Sequence, residues 1–278
     1  MNITVTAGEQ EIFRPMASER ASQQAFFAVS ALLFTASVAV TIVWCGSMSA
    51  MGEMPMPGGW SMSMAWMRMP EQSWLEAAAS FLGMWVVMMV AMMMPCLIPT
   101  LWRYRRALGS KGETHLRWLP ALAGGGYFFV WTVFGIIIFP IGAGLAELEM
   151  QLPALSRTVP MAVATVVLIA GGFQFTRWKA CHLACCREAP GRGRELPAEA
   201  GKAWRYGLHQ GLQCCCCCAG LMSILLVLGV MDLRTMAVVT VAITAERLLP
   251  AGEIVARATG VVAIVGGFLM MVRAVGVC

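Results

Sequence analysis

The sequence predicts an all-α protein, a polytopic transmembrane helical bundle of seven spans with six as the fallback, and three observations lead there. Of the 278 residues, 59% are hydrophobic and 13% charged, with a mean hydropathy of +0.71; ordinary soluble domains are about 45–50% apolar and about 25% charged. Apolar runs near the roughly 20 residues that cross a bilayer recur along the chain. Lys and Arg gather in alternate connections between those runs, the asymmetry that sets orientation in a membrane. The composition excludes a soluble enzyme and a disordered chain, and no fixed repeat period is visible. A net charge of +5, scattered along the chain, offers nothing to nucleic acid. The partner it implies is the lipid bilayer.

Residues 1–24 read as a cytoplasmic N-terminal tail, carrying acids beside Arg14 and Arg20, which suits a retained anchor better than a cleavable signal peptide. A single transmembrane domain over 25–277 follows, with spans at 25–47, 75–99, 118–142, 159–177, 208–231, 235–249 and 259–277. The second is expected to bend or end at Pro95 and Pro99. The sixth is short and ends in Glu246-Arg247 before Pro250, so a tilted span, half of a broken helix and a re-entrant segment all remain open.

The 100–117 loop holds Arg103, Arg105, Arg106, Lys111 and Arg117, and the 178–206 loop holds Lys179, Arg187, Arg192, Arg194, Lys202 and Arg205. Both are expected to face the cytoplasm. The 48–73, 144–158 and 232–234 connections carry little positive charge and are expected outside. The N-terminus is then inside and, with seven spans, the C-terminus outside.

The outward 48–73 loop sets Met48, Met51, Met54, Met56, Met62, Met64, Met67 and Met69 among Gly, Ser and Pro. A thioether is a soft, neutral ligand that needs no deprotonation, so such a cluster selects Cu(I) or Ag(I). The plain alternative is a flexible loop whose Met residues touch lipid headgroups or a partner. Trp60, Trp66 and Trp74 read as interfacial belt residues. In the second span Met84, Met88, Met92 and Cys96 follow at i, i+4 spacing and share one helix face. That row is roughly 18 Å long and could relay a soft ion, or simply pack; Met89 and Met93 lie alongside.

The inward side carries thiols. Cys181, His182, Cys185 and Cys186 fall within two helical turns, and the fifth span adds His209 and Cys214 to Cys218. Pairs spaced i, i+3 or i, i+4 share a face and could hold Cu(I), and would also suit Zn(II). In a reducing compartment they stay thiols. Five consecutive cysteines point in every direction around a helix, so at least two of them read as packing residues. Cys45 and Cys278 are isolated and read the same way, and His115 reads as a solvated loop residue. Gly207 and Gly211 form a small-xxx-small pair that permits close helix contact. Glu246 and Arg247 are ionisable residues near a membrane boundary, but as i, i+1 neighbours they point apart and are expected to reach the cytoplasmic interface.

No phosphate loop, HExxH or GxSxG elbow is present, and the loops are too short for a nucleotide-binding domain. An ATP-driven pump is excluded. Three histidines and one aspartate also supply poorly a His-rich oxygenase centre.

The segments MWVVMMVAMMMPCLIPT, FQFTRWKACHLACCREAP, GLHQGLQCCCCCAGLMSILLVLGVMDLRTM and AERLLPAG resemble the bacterial family of predicted metal-binding integral membrane proteins known as domain of unknown function 2182. The resemblance runs from about residue 30 to 275. It implies a membrane location and metal binding without a defined activity, and its cysteines match Cys181, Cys185, Cys214, Cys217 and Cys218. This chain departs from the pattern at Cys215 and Cys216, where the family tends to have an apolar residue and Gly, and at Ala219, where it tends to have Trp.

The combined expectation is a multi-pass protein of the bacterial inner membrane that binds Cu(I) and transports or delivers it. The Met loop, the row on helix two and the thiol patch would act in turn, with a periplasmic copper carrier or a membrane oxidase as partner. A metal-dependent membrane oxidoreductase or its assembly factor, without ion flux, is the alternative, and a metal-free scaffold packed with Met and Cys is the third.

Overall fold

The computed structural model describes residues 7–50, 54–57, 59–63, 66–68, 72–108, 118–187 and 199–276, with the side chains of these residues other than 7–19, 49, 50 and 55. The described elements are α1 (Ala7–Ala50), β1 (Met54–Met56), β2 (Trp60–Met62), α2 (Trp74–Ala107), α3 (Leu119–Gln151), α4 (Pro153–Phe173), α5 (Arg177–Arg187), α6 (Ala200–Leu228), α7 (Leu233–Leu248) and α8 (Gly252–Gly276). Six helices are long and apolar enough to cross a membrane: α1 from Arg20 to Met48, then α2, α3, α4, α6 and α8. The chain is an all-helical membrane protein apart from one small hairpin. Every expected span is helical, but the segment expected at 235–249 is the 16-residue α7, about 24 Å long against a hydrocarbon core of roughly 30 Å.

Two boundaries differ from expectation. The 144–158 stretch, read as an outward loop, is helical on both sides of Leu152; Pro153 stands at the start of α4, where its fixed φ and missing N–H suit a first turn. α2 does not end at its prolines but runs through Pro95 and Pro99 to Ala107, as helices in a membrane bundle can when neighbours satisfy the freed backbone groups. Its start is set by a capping box: the Ser73 N–H donates to Glu76 Oε2 at 2.8 Å and the Glu76 N–H to Ser73 Oγ at 3.3 Å.

Two helices form the centre. Of their apolar windows, 61% of α2 and 50% of α6 is buried, against 11 to 28% in the other four. α6 lies on α3 through the small-residue pair. A Cβ on Gly207 would strike the Ala123 carbonyl, and one on Gly211 would stand 2.9 Å from the Tyr127 carbonyl oxygen. This close approach sets the next turn of α6, which begins the cysteine run, directly against Tyr127 of α3.

Candidate metal centre

α6 divides its five cysteines as helical geometry requires. Cys214, Cys217 and Cys218 are buried, while Cys215 and Cys216 are half-buried on the flank. The Cys214 and Cys218 sulfurs are 3.7 Å apart, far beyond a disulfide bond of about 2.05 Å, so both are thiols. Tyr127 donates its hydroxyl to Cys214 Sγ at 3.0 Å. α2 brings Cys96 to the same place, at the foot of the buried row Met84, Met88 and Met92. α5 adds Cys186, hydrogen-bonded to Cys217.

The feature that sequence reasoning missed is Arg247. Rather than reaching the cytoplasmic interface, it is 5% exposed. Its Nη1 donates to Cys96 Sγ at 3.2 Å and to Cys214 Sγ at 3.1 Å. Among the described residues no carboxylate stands within ion-pair distance of it. A guanidinium cannot lose its proton in a protein, and a buried cation needs a counter-charge. The groups around this one are Cys96, Cys214, Tyr127 and Cys186, so a cysteine sulfur that gives up its proton to a metal is the counter-charge at hand.

Glu246 points the other way, as an i, i+1 neighbour must, and is also buried. Its Oε2 receives Lys179 Nζ at 2.7 Å, with both side chains at most 2% exposed, and Lys179 also donates to the Cys217 carbonyl at 2.6 Å. α7 packs against α8, α2, α6 and α5, and both Glu246 and Arg247 are buried among them. The 178–206 segment, read as a cytoplasmic loop, therefore contains a helix locked into the bundle. Arg187 at its end donates to the carbonyls of Glu246 and Pro250, at 3.3 and 3.0 Å. Beside this ion pair, Gln174 is buried with both side-chain polar atoms lacking a hydrogen bond, as is Glu246 Oε1.

The remaining thiol-patch residues lie nearer the surface. Cys181 and His209 are exposed and Cys185 half-buried. His182 sets Nδ1 at 2.5 Å from Gln213 Oε1 and its ring against Trp178, 4.2 Å between centroids. Among the described residues, no three His, Cys, Asp or Glu side chains form a compact ligand group. The centre offers instead a sulfur pair, Cys214 with Cys218, and a third sulfur, Cys96, sharing a guanidinium with Cys214. Soft sulfur donors of this kind suit Cu(I), and two thiolates on a monovalent ion leave a charge of −1 that Arg247 is placed to balance.

Comparison with known families points to copper. A family model described as PpoB2, copper chaperone, matches residues 82–270, a stretch that takes in Met84, Met88, Met92, Cys96, Tyr127, Lys179, the cysteine run and Arg247. The chain belongs to the PpoB2 copper-chaperone family. No curated protein and no solved structure matches it. Membership makes the protein's role copper-related, which narrows the soft-metal expectation.

In this member of the family the Met residues of the 48–73 stretch are less free than a polar loop suggested. The hairpin pairs Met54 with Met62 and Met56 with Trp60, and Gly59, at φ 74°, makes its turn. Trp60 donates to the Ser156 carbonyl at 2.9 Å, and Ser156 Oγ to the Pro57 carbonyl at 3.1 Å. Trp66, read as a belt residue, packs on Phe81 inside the bundle. Met62 is buried, Met48 and Met56 half-buried and Met54 exposed. Met51 and Met64 lie outside the described residues.

Proposed function

We propose that this copper chaperone is a bacterial inner-membrane protein that receives Cu(I) on sulfur at its outer end, carries it along the α2 row and holds it between Cys96, Cys214 and Cys218 for delivery. The observation behind this is the convergence of thiols from α2 and α6 on one buried, carboxylate-free arginine. An ion moving from neutral thioethers to thiolates moves toward tighter ligands, which supplies a direction without nucleotide. The N-terminus faces the cytoplasm in this reading, because Arg103, Arg105, Arg106 and Arg187 crowd the thiol end. α7 enters from the opposite face as a short seventh segment. Zn(II) is the competing ion at a thiol site. The reading treats domain of unknown function 2182 and the copper-chaperone family as one group, since both cover 82–270.

The partners in this reading are a periplasmic copper carrier, which fits the outer end as donor, and a membrane oxidase. The family's description favours delivery over bulk flux, so an assembly factor that hands on its ion is the second reading. The test is copper content by elemental mass spectrometry after anaerobic Cu(I) loading of the detergent-purified chain. It is run beside a Cys96→Ser, Cys214→Ser, Cys218→Ser variant. The native protein is expected to hold about one ion per chain more than the variant; equal copper in both would reject the thiol centre. Vesicles loaded with Cu(I) separate the two readings, since delivery predicts retention until an acceptor is added.

A further inference from the structure

A second cluster of sulfur lies at the far end of the bundle. The turn from α6 into α7 contains Gly229 at φ 126°, a left-handed-side conformation that side chains disfavour, and this fixed turn sets Met231 and Asp232 side by side. Both line a cavity of about 780 Å³ between the end of α1, the hairpin, α3 and α4, together with Met48, Met62, Glu149 and Arg234. Beneath it, Cys45 Sγ approaches Met231 Sδ to 3.9 Å, and Cys45 is 2% exposed. From Cys214 to Leu226 at the cavity, α6 runs 12 residues, roughly 18 Å of helix. That matches the length of the Met84 to Cys96 row, and Cys45, the row and the thiols belong to one continuous packed cluster.

The charges around this cavity are opposite to those at the thiols. Asp232 accepts from the Thr235 hydroxyl and from the N–H groups of Arg234 and Thr235. The Thr235 hydroxyl foremost, then those N–H groups, hold its carboxyl below the usual range. Glu149 adds a second acid against one arginine, Arg234. Thioethers are neutral, so a Cu(I) bound to Met231, Met48 and Met62 keeps its positive charge, which acids nearby favour, and Cys45 as a thiolate would bring it only to neutral. Thiolates reverse the ion's charge, and the other end provides an arginine.

We propose that Cys45, Met231, Met48 and Met62 form a second Cu(I) site, a receiving site at the floor of this cavity distinct from the thiol centre. It rests on the copper reading above. Sequence inspection set Cys45 aside as isolated and did not single out Met231, because 186 residues separate the two. The cavity is far larger than a bare ion, leaving room for the donor that brings it.

The test is an anaerobic titration of the full chain in detergent with Cu(I), against a colorimetric Cu(I) chelator. The expected count is one ion more in the native protein than in a Cys45→Ser, Met231→Leu variant, with the thiol-bound ion retained. The Cys96→Ser, Cys214→Ser, Cys218→Ser variant should keep the cavity ion. Met231→Cys, which keeps a sulfur at that position, should restore the lost ion. Equal counts in the native and Cys45→Ser, Met231→Leu proteins would overturn the inference while leaving the thiol centre standing. A loss that Met231→Cys does not restore would overturn it as well, marking a packing defect. A native protein that binds no Cu(I) would remove both this site and the copper reading.

Discussion

The two ends of the molecule hold the same element in opposite settings. At the cavity, thioethers and one thiol sit near Asp232 and Glu149; at the other end, thiols gather on Arg247. The difference teaches that a membrane protein handling a monovalent soft ion must balance the charge of the complex and not of the ion alone. Neutral ligands leave a cation, which acids stabilise, and two thiolates make an anion, which a guanidinium stabilises. The neutral Met row between them carries neither kind of counter-charge, so it suits passage better than storage.

Four variants would test that contrast. The largest effect is expected from Lys179→Met, which strands Glu246 in the interior; losing one partner of a buried ion pair costs roughly 3–5 kcal/mol. Thermal unfolding in detergent, followed by circular dichroism, should show a clearly lower midpoint, and an unchanged midpoint would mean the pair is not structural.

Arg247→Met should do the reverse. Removing this cation leaves stability level or higher, because the cysteines it faces are neutral when protonated and no charge is left buried without a partner. Cu(I) affinity should fall at least tenfold, about 1.4 kcal/mol. Unit charges 4 Å apart interact by about 4 kcal/mol at an effective dielectric of 20, so a tenfold loss is the modest end. An unchanged affinity in a less stable protein would return Arg247 to a purely structural role.

Changing Met84, Met88 and Met92 together to Leu conserves volume, so each should cost under about 1.5 kcal/mol. Copper bound at the thiols in detergent should be unaffected, while exchange between the two faces of a vesicle slows. Equal exchange rates would dismiss the row as a path. The smallest effect is expected from Cys215→Ala with Cys216→Ala on the α6 flank, within roughly 0.5 kcal/mol for each and with no change in copper count.

Much of this was legible in the sequence. The spans followed from apolar run length, and the shared face of Cys214 with Cys217 or Cys218 from helical spacing. Gly207 and Gly211 marked a close helix contact, and the structure makes it with α3. The partners of the thiols were not legible. Glu246 and Arg247 do point apart, but only the packing of α7 between α2 and α5 shows that both directions lead inward. Lys179 read as one of several loop cations because nothing local marks an 11-residue amphipathic helix as inserted. Its place with Gln174 in the FQFTRWKACHLACCREAP segment was the available signal. Cys186 and Tyr127 join the centre through contacts 31 and 87 residues away in the chain, which no spacing rule reaches.

The central claim is that Cu(I) sits on thiolates whose charge Arg247 balances. The most direct measurement is the copper-edge X-ray absorption spectrum of the anaerobically loaded protein beside its Cys96→Ser, Cys214→Ser variant. The account predicts an all-sulfur Cu(I) shell in the native protein and loss of that bound copper in the variant. A copper shell rich in nitrogen or oxygen, or an identical spectrum and content in the variant, would contradict it.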